Sequence, residues 1–290
     1  MSALQVTDTG TQVLLQDAGR TGLAGIGVGR SGAADRAAYE LGSRLVAHGP
    51  GRACLEVTFG GLVATIHGSV TIALTGADAQ AVVDSHPIPH SAPIEARDGQ
   101  ELRLGMPSAG LRTYLSVRGG FDVPPVLGSR STDTLAELGP EPVTAGDLLA
   151  VNTFDGAFPN VDIAPVPLPA AGRVRLEVLP GPRRDWVADP ETLTDPDAGW
   201  TVSDRSNRVG VRLDGTPLTR SPAYRDKELP SEGMVRGSIQ VPPDGGPVIF
   251  LNDHPVTGGY PVVGVLTTAD ADRAAQLQPG QPVELRWVAR

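Results

Sequence analysis

The chain has 290 residues and a formal net charge of -9, with 36 glycines, 27 prolines and 40% hydrophobic residues. That length supports two domains or one large one with ample core. The acidic balance argues against nucleic acid or an anionic membrane as the main partner.

Abundant glycine and proline beside an ordinary apolar fraction point to many short strands and tight turns. The single cysteine, Cys54, cannot form an internal disulfide, which fits a reducing compartment; within Ala53-Cys54-Leu55 it is expected to be buried rather than nucleophilic. Residues 1–5 show no basic segment leading into an apolar one, so no signal peptide is expected. No apolar run reaches the roughly 18 residues of a membrane span. The expectation is a soluble, cytoplasmic protein.

In chain order, strand-like segments are predicted at 12–16, 54–58, 62–67, 70–74, 81–83, 101–104, 112–117 and 148–151. A second series follows at 173–178, 209–213, 237–241, 248–251, 262–266 and 283–288. Most are five or six residues long, bounded by Gly, Pro, Asp or Asn. Two helices are predicted. One covers 34–47, with Leu41, Leu45 and Val46 on its apolar stripe and His48-Gly49-Pro50 stopping it. The other covers 269–277, where Thr267 stands three residues before Asp270 as in a capping box.

A glycine turn feeding a strand recurs at Asp98-Gly99-Gln100, Ala145-Gly146-Asp147 and Pro279-Gly280-Gln281. Antiparallel barrels return strands to a sheet in this way. Pro159, Pro165, Pro167 and Pro169 stiffen a linker-like stretch at 155–171. The residues therefore read as a mainly β chain of two related barrel-like domains, 1–165 and 166–290, with few short helices.

The densest chemistry lies in Asn252-Asp253-His254-Pro255-Val256-Thr257-Gly258-Gly259-Tyr260-Pro261, set between two very apolar strands. A glycine-pivoted turn carrying amide, carboxylate, imidazole and phenol groups reads as a site on a rigid scaffold, or as a polar hairpin loop. Gly27-Val28-Gly29-Arg30-Ser31-Gly32 matches G-x-G-x-x-G, with Glu56 at about the spacing of a ribose-binding acid. The residues before it are too glycine-rich for a buried strand, and hairpins follow, which argues against a dinucleotide fold. Arg30 and Ser31 instead read as an anion-facing loop or a plain structural loop. There is no P-loop and no G-x-S-x-G elbow. His86 and His90 are four apart, but the prolines between them exclude one helical face, so a surface turn is expected and no bound metal.

In Leu127-Gly128-Ser129-Arg130-Ser131-Thr132-Asp133, Arg130 with Ser129 could hold a carboxylate or phosphate; an Arg130–Asp133 ion pair is the structural alternative. Asn207 and Arg208 in Ser203-Asp204-Arg205-Ser206-Asn207-Arg208 could position an anionic or amide substrate, or serve an Asp204–arginine contact. Gln240 alternates with Ile239 and Val241 and could face a barrel interior near Asn252 and His254.

Seven segments in order resemble one family: Gly29 to Asp35, Leu55 to Gly61, Tyr114 to Pro124, Leu127 to Asp133, Ser206 to Gly210, Gly237 to Pro243 and Thr257 to Pro261. Together they are similar to the C-type subunits of bacterial 5-oxoprolinase. That family is also labelled biotin-dependent carboxyltransferase or allophanate hydrolase subunit 2, and it includes a sporulation kinase-inhibitor partner. Departures are mild: family members usually carry proline where this chain has Val28 or Gly29, and methionine in place of Ala34.

The resemblance implies two cyclophilin-like antiparallel β-barrel domains, and B-type and A-type partner chains. It implies ATP-dependent opening of 5-oxo-L-proline to L-glutamate, with the ATP site on, or shared with, a partner. The alternatives are a carboxyltransferase component, for which carboxybiotin would arrive on a partner, and a regulatory kinase-inhibitor module. For the main reading, His254 is the candidate acid/base and Asn252 and Gln240 the amide-recognition groups. Arg208 and Arg130 are the candidate anion clamps, Thr257 and Tyr260 orient the substrate, and Asn207, Ser129, Arg30 and Ser31 complete the expected binding set.

Overall fold

The computed structural model describes residues 2–49, 51–158 and 161–288. Pro50 and Pro159, expected as a helix stop and a linker proline, lie outside these. The chain folds into two compact units: Met1–Thr21, Ser31–Asp133 and Glu137–Pro169 make the first, and Gly22–Arg30, Thr134–Ala136 and Ala170–Arg290 the second.

The first unit contains β1 (Ser2–Thr9), β2 (Gln12–Gln16), β3 (Cys54–Thr58), β4 (Leu62–His67), β5 (Val70–Gly76), β6 (Val82–Val83), β7 (His86–Pro87), β8 (Pro93–Ala96), β9 (Glu101–Arg103), β10 (Arg112–Val117) and β11 (Leu148–Val151). They form two sheets, ordered β11-β1-β4-β9-β6-β7 and β2-β3-β10-β5-β8. Alternation decides the packing: Leu4, Ile66 and Leu102 from one sheet meet Leu55, Ile72 and Leu115 from the other, all fully buried. Each such side chain contributes roughly 2 kcal/mol of transfer free energy. Cys54 is buried, as its apolar flanks predict.

Helix α1 (Arg36–Leu45) packs on β5 and β10. It is shorter than the predicted 34–47. Asp35 leaves the helix to cap it, its carboxylate accepting from Ala38 N at 3.0 Å, and Ala47 turns left-handed at φ 64°.

The second unit contains β12 (Val174–Pro180), β13 (Thr201–Val202), β14 (Gly210–Asp214), β15 (Glu232–Gly233), β16 (Ser238–Gln240), β17 (Val248–Phe250), β18 (Thr257–Gly258), β19 (Val262–Leu266) and β20 (Val283–Trp287). Seven make one sheet, β13-β14-β17-β16-β19-β12-β20. Its two ends meet: Thr201 bridges Pro282, Val202 N donates to Gln281 O at 3.0 Å, and Val283 N donates to Trp200 O at 2.9 Å. The sheet is thus a nearly closed barrel, which leaves few edge groups unpaired. Helix α2 (Thr268–Ala274) starts at the expected cap: Thr267 Oγ1 accepts from Asp270 N at 3.2 Å and donates to Asp270 Oδ2 at 3.0 Å.

The three recurrent turn glycines, Gly99, Gly146 and Gly280, all adopt positive φ, at 81°, 102° and 79°. Only glycine enters that region without strain, so the repeat marks a shared turn geometry. No helix among the described residues is long and apolar enough to cross a membrane.

Candidate functional site

The site begins with a strand order. β17 lies between β14 and β16, with Gly210 opposite Phe250 on one side and Ile239 opposite Ile249 on the other. Continuing both registers past the end of β17 brings Arg208 and Arg236 to either side of residues 252–253. Backbone bonds hold this geometry: Leu251 N donates to Val209 O at 2.9 Å and Gly237 N to Phe250 O at 2.8 Å.

Each arginine takes a different neighbour. Arg208 donates through Nε and Nη2 to Asp253 Oδ2 and Oδ1, at 2.9 and 3.0 Å. The two side chains are 2% and 0% exposed, so this is a buried bidentate pair. Thr134 adds its backbone N–H and Oγ1–H to Asp253 Oδ2, at 2.9 and 2.8 Å. Arg236 donates through Nε to Asn252 Oδ1 and through Nη2 to Asp272 Oδ1, both at 2.6 Å. Asp272 stands on α2, so that helix braces the amide through one guanidinium.

His254 follows and is half-buried, its ring tilted beside Phe250 with centroids 6.1 Å apart. Its Nδ1 lies 2.8 Å from Pro255 O. A carbonyl only accepts, so Nδ1 is the donor in this contact. Downstream, β18 pairs with β15, placing Glu232 opposite Gly258 and Gly233 opposite Thr257. Gln240 Nε2 donates to Tyr260 O at 3.0 Å. Gly258 allows this approach, because a Cβ there would stand 2.7 Å from Gln240 Nε2. Thr257 and Tyr260 remain exposed. The loop is thus pinned at both ends, with the Asn252 amide buried, the His254 imidazole half-buried, and the Thr257 hydroxyl and Tyr260 phenol on exposed residues.

A carboxyltransferase domain comprising subdomains A and B matches residues 26–287. The chain belongs to this carboxyltransferase-domain family. It is 34% identical to the 5-oxoprolinase C-type subunit of Escherichia coli over 97% of this chain and 89% of that protein. It is 29% identical to the protein of the same name from Haemophilus influenzae, over 99% and 91%. Among solved structures, the Kluyveromyces lactis urea amidolyase superposes with a TM-score of 0.89 at 29% identity, covering 99% of this chain and 19% of that one. The structure of TTHA0988 superposes at 0.88 with 32% identity, and this chain spans 56% of its length.

Within this carboxyltransferase-family chain, Asn252, His254, Thr257, Tyr260, Gln240 and Arg208 all belong to the second unit and all touch the 252–261 loop or lie in it. Gln240 reaches the Tyr260 end of that loop, where strand alternation put it near Asn252 and His254. Three other expectations need correction. Arg208 has its fork filled by Asp253, so it anchors the loop in place of clamping a substrate anion. Asn207 makes a turn: its Oδ1 accepts from Val209 N and Gly210 N at 2.9 and 3.3 Å, and it starts β14. The Asp204–arginine alternative is not formed either; Arg205 pairs with Asp214 at 3.2 Å.

Ser129, Arg130 and Ser31 belong to a constellation in the first unit built on Asp17. Ser129 Oγ and Ser131 Oγ donate to Asp17 Oδ1 at 2.6 and 2.7 Å, Gly19 N to the same oxygen at 2.8 Å, and Arg130 N to Oδ2 at 2.7 Å. The Arg130 guanidinium donates to Val123 O and Gly51 O at 2.8 and 3.1 Å, so it ties loops together. Asp133 faces Arg20 at 3.8 Å, and the suggested Arg130–Asp133 pair is not formed. Ser31 is buried, donating to Thr132 O at 3.2 Å, with its backbone at φ 52°, while Arg30 is exposed.

Glu56, at the ribose-acid spacing, is fully buried and accepts from Ala34 N and Tyr114 Oη, both at 2.9 Å. Burial first, and Glu56 second, push the Tyr114 phenol well above its ordinary range, keeping it a donor. Among the described residues, no three His, Cys, Asp or Glu side chains gather to hold a metal.

Arg236, Asp272 and Thr134 carry no motif that picks them out in the sequence. A signal for Arg236 nevertheless exists. Once 242–247 is taken as the turn between β16 and β17, counting back from Gln240 opposite Val248 puts residue 236 opposite 252.

Proposed function

We propose that this chain is the C-type component of an ATP-dependent 5-oxoprolinase, opening 5-oxo-L-proline to L-glutamate with B-type and A-type partner chains. The observation that carries the reading is its end-to-end similarity to two proteins named as the 5-oxoprolinase C-type component, over nearly all of both sequences.

The chemistry of the loop fits that task. An unstrained lactam resists water, and phosphorylation of its amide oxygen by ATP makes a better electrophile. The Asn252 amide supplies hydrogen bonds to the substrate, and His254 serves as the base that takes a proton from the attacking water. Tyr260 and Thr257, exposed on the same loop, orient the ring, with Gln240 fixing the Tyr260 backbone. ATP binds on, or shared with, a partner chain, and the complex works in the cytoplasm.

A second reading is supported by the family's description and by the urea amidolyase match: transfer of a carboxyl group from carboxybiotin carried by a partner. Co-expression with candidate A-type and B-type partners separates the two. ATP-dependent appearance of glutamate from 5-oxoproline is expected. Carboxybiotin-dependent carboxyl transfer without glutamate formation would replace the first reading with the second.

A further inference from the structure

We propose that residues 219–233 form a hinged strap fastened against the 252–261 loop, and that its opening frees Thr257 and Gly258 from their ladder and uncovers Gln240. The inference goes beyond the functional reading and holds whatever substrate the loop serves.

Burial marks the segment. Leu218 and Met234 are buried, and between them only Leu229 is. A stretch with so little buried apolar surface lies at the low end of local opening free energies. Its ends are fixed: Leu218 N donates to Gly245 O and Met234 N to Val256 O, both at 2.9 Å.

The strap is fastened by a clasp at 183–187. Tyr224 stacks on Trp186, with ring centroids 4.4 Å apart and planes 11° apart, and its hydroxyl donates to Asp185 Oδ2 at 2.7 Å. Ser221 N donates to Trp186 O at 2.8 Å. Arg183 Nε donates to both carboxylate oxygens of Glu232, at 2.9 and 3.1 Å. The Arg183 and Glu232 side chains are 38% and 30% exposed, and ion pairs so open to water contribute little. Between the two fastenings, Arg225, Asp226, Lys227 and Glu228 are all exposed. One aromatic stack and one wet ion pair are enough to close such a strap and weak enough to release it.

The clasp reaches the candidate loop through one short ladder. Glu232, held by Arg183, begins β15, which lies opposite Thr257 and Gly258 of β18. Beneath the ladder is the buried Gln240: a Cβ on Gly258 would stand 2.7 Å from Gln240 Nε2 and 3.3 Å from Met234 Sδ. Gln240 lies opposite Val248 on one side and Val262 on the other, and these valines pack with Met234 and Phe250. The ribbon therefore covers an amide set in an apolar floor. When Glu232 leaves Arg183, β15 leaves β18, and Gln240 loses its cover while the barrel strands stay paired.

The full chain alone suffices for the test, which combines limited tryptic digestion with hydrogen exchange read by mass spectrometry. Trypsin is expected to cut at Arg225 and Lys227 at a rate set by strap opening. Tyr224→Ala removes the stack and the bond to Asp185, and should raise both this cleavage and amide exchange at 257–258 by about 10-fold. Tyr224→Phe keeps the stack and should raise both by about threefold. Glu232→Gln weakens the ion pair and should do the same, by about threefold. Exchange in β17 and β19 should stay at the wild-type level throughout.

Wild-type cleavage rates in all three variants would show that the clasp fastens nothing. Faster cleavage with unchanged exchange at 257–258 would show that the strap moves without the candidate loop. Faster exchange in β17 and β19 in Tyr224→Phe and Glu232→Gln would show that the whole unit opens. Each of these results overturns the proposal, and the two conservative variants keep it testable if Tyr224→Ala fails to fold.

Discussion

Replacing Arg208 by methionine removes one half of the buried pair that anchors the site loop. Asp253 would then sit at 0% side-chain exposure without its bidentate partner. Removing one partner of a buried ion pair costs about 3–5 kcal/mol, because an uncompensated charge stays behind. Thr134 still donates twice to Asp253 Oδ2, at 2.9 and 2.8 Å, which places the cost near the lower end, about 3 kcal/mol. Asp253→Leu leaves a buried guanidinium and should cost about the same. The double variant replaces both charges with apolar volume. It should cost about 2 kcal/mol, far below the roughly 6 that additivity gives.

The assay is urea unfolding followed by tryptophan fluorescence. Trp186, Trp200 and Trp287 are the chain's 3 tryptophans, and all lie in the second unit, so the signal reports that unit alone. Equal m-values across the four proteins are required for the comparison. Single variants each costing under about 1 kcal/mol, or a double variant equal to the sum, would refute the claim that this pair is a dry, mutually dependent anchor.

Three further outcomes are expected. Asp17→Ala strands two hydroxyl and two backbone donors that now converge on one carboxylate, and should destabilise the first unit by about 3 kcal/mol or more, measured by thermal unfolding with far-UV circular dichroism. A loss below about 1 kcal/mol would show that water replaces the carboxylate easily. Burial lowers the His48 and His90 imidazoles from their ordinary 6.5. Their neutral forms are favoured in the fold, so the unfolded chain binds protons at a higher pH. Their contribution to stability is therefore complete above pH 6.5 and is lost as pH falls below it. The dichroism melting temperature should drop over that window, and a His48→Gln, His90→Gln variant should show a flatter profile; identical profiles would contradict the assignment. Gly258→Ala puts a methyl group 2.7 Å from Gln240 Nε2 and 3.3 Å from Met234 Sδ. It should cost about 1–3 kcal/mol and raise KM for 5-oxoproline, whereas a neutral result would mean that Gln240 moves aside freely.

Much of the architecture is legible in the sequence because short apolar runs bounded by Gly, Pro, Asp or Asn mark the strands, several of which are buried at nearly every position. β2, β3, β4, β10, β11 and β19 occupy the predicted residues. β1 escapes such a reading, because its pairing with β4 shifts between Val6 and Asp8 and so breaks the alternation that identifies a strand. β8 begins on Pro93, which lacks the donor expected of a ladder residue, and its place is set by pairing with β5.

At the site, the loop stands out through the density of polar groups between two apolar strands. The partners that give those groups their roles are hidden. Arg208 resembles a free clamp because its carboxylate, Asp253, lies 45 residues away. Arg236 carries no pattern of its own and becomes meaningful only through the register of β16 on β17. Arg130 shows the converse error: hydroxyls beside an arginine read as an anion site, while Asp17, far off in sequence, collects the hydroxyls.

The catalytic role of the 252–261 loop is decided by comparing glutamate formed per ADP released by the wild-type complex with that formed by complexes carrying Asn252→Ala or His254→Ala. ATP-dependent glutamate formation by wild type, reduced about 100-fold or more in each variant while each variant remains folded at the assay temperature, is the expected result. Wild-type rates in both variants would remove the loop from the chemistry and contradict the proposed function of this site.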